Sequence, residues 1–267
     1  IWGGKGEDSI QLRNTVTDSY IYANSGNDTI NVTAAVQNSF INGGQGDDRV
    51  SLTGTVTSST VVAGSGADLL SFSNVVGNAS IQGFGGSITD TSNDTVVLSS
   101  TANDINVTFA EGADSLSFNK GATNATVAAA GGNDTVVAAL TLASSSIEAG
   151  AGDDSLSISV LSGSSLKAGS GADSINLSKA VSAQVFTNQD NDYITATGDS
   201  TSSTLSGGQG VDSIFVAGNV TGGNIVGNSG ADSISIAGTV NTAYVTGGAD
   251  NDSMPLGAVG GGTVGGE

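Results

Sequence analysis

The chain has no cysteine and no histidine, a single proline, methionine and tryptophan, and only six basic residues in 267. Each shortage excludes something. Without cysteine there are no disulfides and no zinc-thiolate sites. Without cysteine or histidine the commonest nucleophile and general base are gone, and no enzyme is visible in what remains. Six bases against 25 acids give a net charge of -19. That balance argues against nucleic acid, whose binding relies on Lys and Arg neutralising phosphates. It argues equally against anionic membrane surfaces and turns attention to cations as partners. No apolar run approaches the roughly 20 residues that a membrane-spanning helix needs, so no membrane insertion is expected. Aromatics make up 4% of the chain, and the tyrosines Tyr20, Tyr22, Tyr193 and Tyr244 read as scattered surface or packing residues. Trp2 reads as a cover for one end of the molecule.

Against these shortages stand 41 glycines. Glycine-rich, aromatic-poor composition often signals disorder, but here the apolar residues are regularly placed. Aspartates recur at Asp8, Asp28, Asp48, Asp68, Asp94, Asp114, Asp134, Asp154, Asp173, Asp192, Asp212, Asp232 and Asp252, at intervals of 20 except for one of 26 and two of 19. Such a period marks a repeat architecture. Two residues after each Asp stands an apolar residue (Ile10, Ile30, Val50, Leu70 and so on to Met254), and a second often follows at four. This alternation is the pattern of a short strand with one buried face. Seven residues before the Asp comes another inward column, including Ile21, Ile41, Val61, Ile147 and Val245. A third set, Val16, Val36, Val56, Val76, Val220 and Val240, lies midway among Thr, Ser, Asn and Gly.

Each unit therefore reads as strand, polar turn, strand, glycine-aspartate turn. The fold expected is all-β: a right-handed parallel β-helix or β-roll solenoid of about 13 coils of about 20 residues, two short strands per coil, running continuously over residues 1–267. Parallel rungs about 4.8 Å apart would make a rod on the order of 60 Å long. The 26-residue interval places about six extra residues in "GFGGSITDTSN", 83–93, which is expected to bulge as a loop. Ile1 opens inside a unit and no capping segment is evident at either end, as expected of a piece of a longer protein or of a chain that pairs end to end.

Glycines favour the positions four and two before the Asp: Gly4 and Gly6, Gly44 and Gly46, Gly64 and Gly66, Gly150 and Gly152, Gly169 and Gly171, Gly208 and Gly210. Positive φ at these offsets turns carbonyls to one side, and stacking sets carbonyl oxygens and one carboxylate per turn beside the next. Six to eight such hard oxygens are what Ca²⁺ requires. The alternative, that each Asp merely caps its own turn, meets an electrostatic objection. Carboxylates about 4.8 Å apart repel by roughly 3.5 kcal/mol at an effective dielectric of about 20. Over a dozen contacts that exceeds the roughly 5–15 kcal/mol stability of a domain. Glu7, Asp47, Asp90, Glu111, Glu148, Asp153, Asp190 and Asp250 add charge in or beside the same turns.

"GGKGEDSIQ", "GGQGDDRVS" and "GGQGVDSIF" resemble the nonapeptide G-G-x-G-x-D-x-U-x of the RTX, or haemolysin-type, calcium-binding repeats. The resemblance implies a β-roll with calcium between turns, held by the Asp side chain and loop carbonyls, in a bacterial protein of the surface layer or extracellular space. It implicates Asp8, Asp48, Asp68, Asp154, Asp173 and Asp212 first, then Asp28, Asp114, Asp134, Asp232 and Asp252. The chain departs from the family in having one such turn per coil, the opposite turn ("TVTDS", "AVQNS", "TVTSS") lacking the motif's aspartate, so calcium is expected along one edge only, up to about 12 ions. Asn24, Asn228, Ala110 and Ala130 replace the first glycine, and Ser92, Asp190 and Asp250 the second, which weakens the expected sites at Asp94 and Asp192. The function expected is a secreted, calcium-stiffened structural protein of a surface layer, sheath or extracellular filament that self-associates into a filament or lattice. The alternative is an adhesin stalk or a carbohydrate-binding calcium-repeat module. A regular row of exposed aromatics would favour that alternative, and the sequence shows none. Ice binding by "TVT" at 15–17 and 55–57 is not expected either, because the aligned rungs carry Ala35/Gln37 and Val75/Gly77.

Overall fold

The computed structural model describes residues 1–84 and 90–266. It is an all-β parallel β-solenoid of about 13 turns, set about 20 residues apart, and no described residue is helical. The chain divides into two units, Ile1–Ala139 and Leu140–Glu267. The core of the expected loop, residues 85–89, lies outside the described residues.

In the first unit a coil holds three strands, not two. Tyr20–Ser25 runs into the glycine-aspartate turn, Thr29–Val32 leaves it, and Val36–Gln37 follows as a two-residue strand. Each pairs in parallel with its counterpart one coil on: Ile21 opposite Ile41, Ile30 opposite Val50, Val36 opposite Val56. The spacing alone puts the midway valines inside a polar turn. The structure gives them their own ladder, in which Val16, Val36, Val56 and Val76 offer β-branched side chains to the core and Ala102 and Ala122 continue it. The chain then turns on a residue with positive φ, such as Asp18 (48°), Asn38 (47°) or Ser58 (50°). Asn and Asp visit this region most readily among residues with a side chain.

In the second unit the coils that begin at Asp154 and Asp173 are one residue shorter, and the second and third strands fuse. Ser155–Ser162 pairs with Ser174–Val181 along its length, Leu156 opposite Ile175 and Leu161 opposite Ala180.

All the inward columns read from sequence are buried, save at the outermost coils, where Ile10, Leu12 and Met254 stay partly exposed. The interior is a thin stack of Ile, Val, Leu and Ala, with Phe72 and Phe118 the largest fully buried side chains. Small residues appear where a neighbour needs room: a Cβ on Gly83 would lie 2.7 Å from the Phe109 ring of the next coil. Because each coil is too thin to enclose a side chain alone, core contacts run between coils, and removing one ring leaves a cavity shared by its neighbours. Phe118→Ala is therefore expected to cost about 3–5 kcal/mol, read as a lowered denaturation midpoint in urea with the calcium concentration held fixed.

Candidate functional site

The site grows from the turn that joins the first strand of each coil to the second. All twelve glycines singled out from sequence take positive φ, between 94° at Gly6 and 134° at Gly64. Five of the seven residues that replace them follow, Asn24 (85°), Asn228 (83°), Ala130 (77°), Asp190 (73°) and Asp250 (84°), whereas Ala110 and Ser92 do not take positive φ. Asn188 (82°), at the first glycine offset of the Asp192 turn, belongs with them. At Gly64 the requirement is double. A Cβ there would sit 2.1 Å from the carbonyl oxygen of Gly44 in the coil before. Stacking distance and backbone conformation both demand its absence.

The turn delivers the aspartate inward. From Asp28 to Asp232 every aspartate of the register is almost wholly buried; Asp8 and Asp252 are half-buried. The carboxylates form a ladder, each Oδ1 accepting the backbone N–H of the aspartate one coil earlier. In the first unit Asp28 accepts from Asp8 at 2.6 Å, Asp48 from Asp28 at 2.7 Å, Asp68 from Asp48 at 2.6 Å, and Asp94 from Asp68 at 2.9 Å. In the second, Asp173 accepts from Asp154, Asp192 from Asp173 and Asp232 from Asp212, each at 2.8 Å. The two aspartates expected to be weakest, Asp94 and Asp192, keep their places in it.

The second oxygen is different. Oδ2 is buried and accepts no hydrogen bond in Asp8, Asp28, Asp48, Asp68, Asp114, Asp173, Asp212, Asp232 and Asp252. A buried carboxylate oxygen without a partner is costly. In Asp28, Asp48, Asp68, Asp94, Asp114, Asp173, Asp212 and Asp232 burial is the main reason the group resists ionisation, opposed by the single N–H and reinforced by neighbouring carboxylates. Asp68 and Asp94 are pushed up to about 8, Asp173 to about 7, and Asp48, Asp114, Asp212 and Asp232 to about 6. The charge of Asp90 adds to this at Asp68, Asp94 and Asp114. Asp192 is a variant: the Thr187 hydroxyl lies beside its carboxylate and donates to the Gly207 carbonyl, supplying a local polar partner.

Among the described residues no three acidic side chains gather to hold a metal. A cation in this row would therefore depend on carbonyl oxygens as well as carboxylates. That donor set, an unpartnered buried carboxylate oxygen beside turns whose positive φ re-aims backbone carbonyls, fits a hard, oxygen-seeking ion.

Two further ladders escape a reading of the sequence alone. The residue before the register aspartate, where it is Asn or Asp, accepts the N–H of its counterpart in the next coil: Asn27 from Asp47 at 3.0 Å, Asp47 from Ala67 at 2.9 Å, Asn191 from Val211 at 2.6 Å. Asp47 is thus more than spare negative charge. On the opposite edge an inward serine fills this role. Ser39 Oγ accepts from Ser19 N–H at 3.1 Å and donates to the Gln37 carbonyl at 2.7 Å. Ser164 does likewise with Ser145 and Ser162. A hydroxyl both accepts and donates, so a turn that carries this serine pairs it without a charge. The signal is present in the recurrent Ser of "TDS", "QNS" and "TSS", but its meaning depends on the coil register.

Fold and site together define a class: a parallel β-solenoid whose turns repeat an acidic, glycine-rich loop. Residues 18–34 and 22–54 match the model of the RTX calcium-binding nonapeptide repeat (4 copies), so that segment is similar to repeats of that type. No curated protein compared with the chain matches it. Among solved structures it is similar to a hyperactive, Ca²⁺-dependent, β-helical antifreeze protein from an Antarctic bacterium, at 20% identity, covering 98% of this chain and 80% of that one, with a TM-score of 0.58.

The geometry sets two expected outcomes. Gly64→Ala is expected to lose about 3 kcal/mol or more, since strained φ alone costs about 1–3 kcal/mol and the added Cβ also meets a backbone oxygen; urea unfolding measures it. The raised carboxyls bind protons more tightly folded than unfolded. In chelator, their contribution is full below the unfolded value near 3.8 and is lost as pH rises through about 6 to 8. Every tenfold gain in proton affinity on folding is worth about 1.4 kcal/mol. The thermal midpoint without divalent cations should fall steadily from pH 5 to pH 8, and a midpoint that rises over that range would contradict the buried ladder.

Proposed function

We propose that this is a calcium-binding structural repeat protein of the bacterial cell surface, secreted and built into a surface layer, sheath or extracellular filament. The observation that carries the reading is the row of buried Oδ2 atoms lacking a partner, repeated coil after coil along one edge. Calcium would be held there by the register aspartates together with carbonyl oxygens of the glycine-bearing turns, up to about 12 ions in all. The ion supplies positive charge where carboxylates accumulate and oxygen coordination where hydrogen-bond donors are missing. Because the stacked turns complete the ligand set, folding and binding are coupled. The match to calcium-binding repeats over residues 18–54 supports the choice of ion, as does the calcium dependence of the β-helical neighbour. The antifreeze activity of that neighbour is not carried over, since the likeness rests on fold.

The secreted location and the self-association rest on the repeat type and on a strongly acidic surface that suits a calcium-rich exterior. Lateral or end-to-end contacts between copies would use the same ion to offset their mutual repulsion.

Circular dichroism and electron microscopy with calcium, then with excess chelator, test the whole reading. Strand signal and assemblies are expected with calcium; chelation should disperse the assemblies and lower the thermal midpoint of the strand signal. A midpoint unchanged by thorough chelation removes the calcium coupling, and a chain that stays monomeric at high concentration with calcium removes the filament. Asp68→Asn gives a sharper sign. It keeps an acceptor for the Asp48 N–H but removes a charge, so the midpoint should rise in chelator while the stabilisation added by calcium shrinks.

A further inference from the structure

The register brings together aromatics that the sequence scatters. Trp2 and Tyr22 share one outward column of the first strand, and Tyr20 and Phe40 share another two residues earlier. Trp2 stacks on Tyr22 with ring centroids 4.8 Å apart and planes 24° apart; Tyr22 lies 5.5 Å from Phe40, and Phe40 lies 6.3 Å from Tyr20. The four rings make one continuous strip across three coils. Trp2 does not cap an end: it stands on the outer face, 73% exposed, with Tyr20 at 65%. Exposing aromatic faces to water this way has no benefit to the core, which is closed by Ile21 and Ile41 behind them.

Beside the strip runs an open groove of about 340 Å³, lined by Tyr22, Asn24, Ser25, Asn42, Gly44 and Gln45. None of these carries a charge. The side-chain amides of Asn24, Asn42 and Gln45 make no hydrogen bond to any described residue. Each amide offers both a donor and an acceptor. Aromatic faces next to free amides suit a ligand with flat C–H faces and a rim of hydroxyls, apolar and polar within one ring. Sugars in a neutral chain have that character. A polyanion would find no basic residue in this lining to pair with, and a second copy of the chain is an outcome that the test distinguishes.

We propose that the outward face of the first three coils, the strip of Trp2, Tyr20, Tyr22 and Phe40 with the adjoining amides of Asn24, Asn42 and Gln45, is a binding surface for a neutral polysaccharide strand. It would let the protein hold the glycans of a cell wall or matrix, and it does not depend on filament formation. The rings sit on strands whose stacking the aspartate ladder maintains, so the strip is rigid before the ligand arrives. Preorganised aromatic faces lose little conformational freedom on binding.

The test uses the full chain in calcium, with Trp2, the sole tryptophan, as reporter. Titration with cellohexaose and with chitohexaose should give a saturable change in tryptophan fluorescence for at least one, and the chain should be retained on the matching insoluble cellulose or chitin. Tyr22→Ala should weaken retention by about tenfold, and Trp2→Ala by a similar factor. Tyr244→Ala, an exposed tyrosine with no ring neighbour among the described residues, should leave it within about twofold. Trp2 is so exposed that its replacement leaves the fold intact, and the strand signal in calcium verifies this. The proposal is overturned by absence of binding to both sugars and both polymers. Retention unchanged in the Trp2→Ala/Tyr22→Ala double variant also overturns it, as does binding confined to the anionic polymer hyaluronan. A fluorescence change that follows protein concentration rather than sugar overturns it in favour of self-association.

Discussion

Each coil hands the backbone N–H of its turn aspartate to the carboxylate of the next, and the rest of the structure depends on that bond. It sets the stacking distance and the register, and it draws an acid into the interior. One oxygen of each carboxylate is used in this way. The other is left in a buried turn, where at Asp68 and Asp94 burial and the neighbouring charges raise the carboxyl's proton affinity. Strand pairing alone would stack the coils. The carboxylates make that stacking conditional on something positive, a proton or a cation, being present.

The two edges of the coil solve the same problem differently. Each must turn the chain sharply while pairing backbone groups with the coils on either side. Where the opposite edge carries serine, a hydroxyl that accepts and donates meets this without a charge. The aspartate edge accepts but cannot donate, so it retains an unmet demand. An edge built of serine throughout would be indifferent to its surroundings, whereas the aspartate edge makes stability answer to pH and to divalent ions. At Asp192 the Thr187 hydroxyl brings a little of the serine solution to the acidic edge.

Outward positions escape both constraints and vary from coil to coil. The column that begins Trp2, Tyr22 and Asn42 continues through Val62, which its neighbours cover, and Gln82, while the interior repeats Ile, Val and Leu. Surface chemistry can therefore differ along the same scaffold, with the aromatic strip confined to the first coils.

Local spacing is enough to read much of this from the chain. An aspartate every twenty residues, with aliphatic residues at fixed offsets, determines a parallel stack, its inward columns and the edge on which acids collect, because in a strand the side chain two residues on points the same way. Positive φ at the paired glycines follows from composition alone, and Asn24 and Asp190 obey it without being glycine. Tertiary structure decides what needs two coils at once. Val36 becomes a strand only against Val56, and Ser39 gains its role only beneath Ser19. The two oxygens of Asp48 differ only because the Asp28 N–H reaches one of them, and Trp2 and Tyr22 become neighbours only once the coils are in register. Which residues recur is written along the chain; the hydrogen bonds and ring contacts between successive coils exist only when the stack has closed.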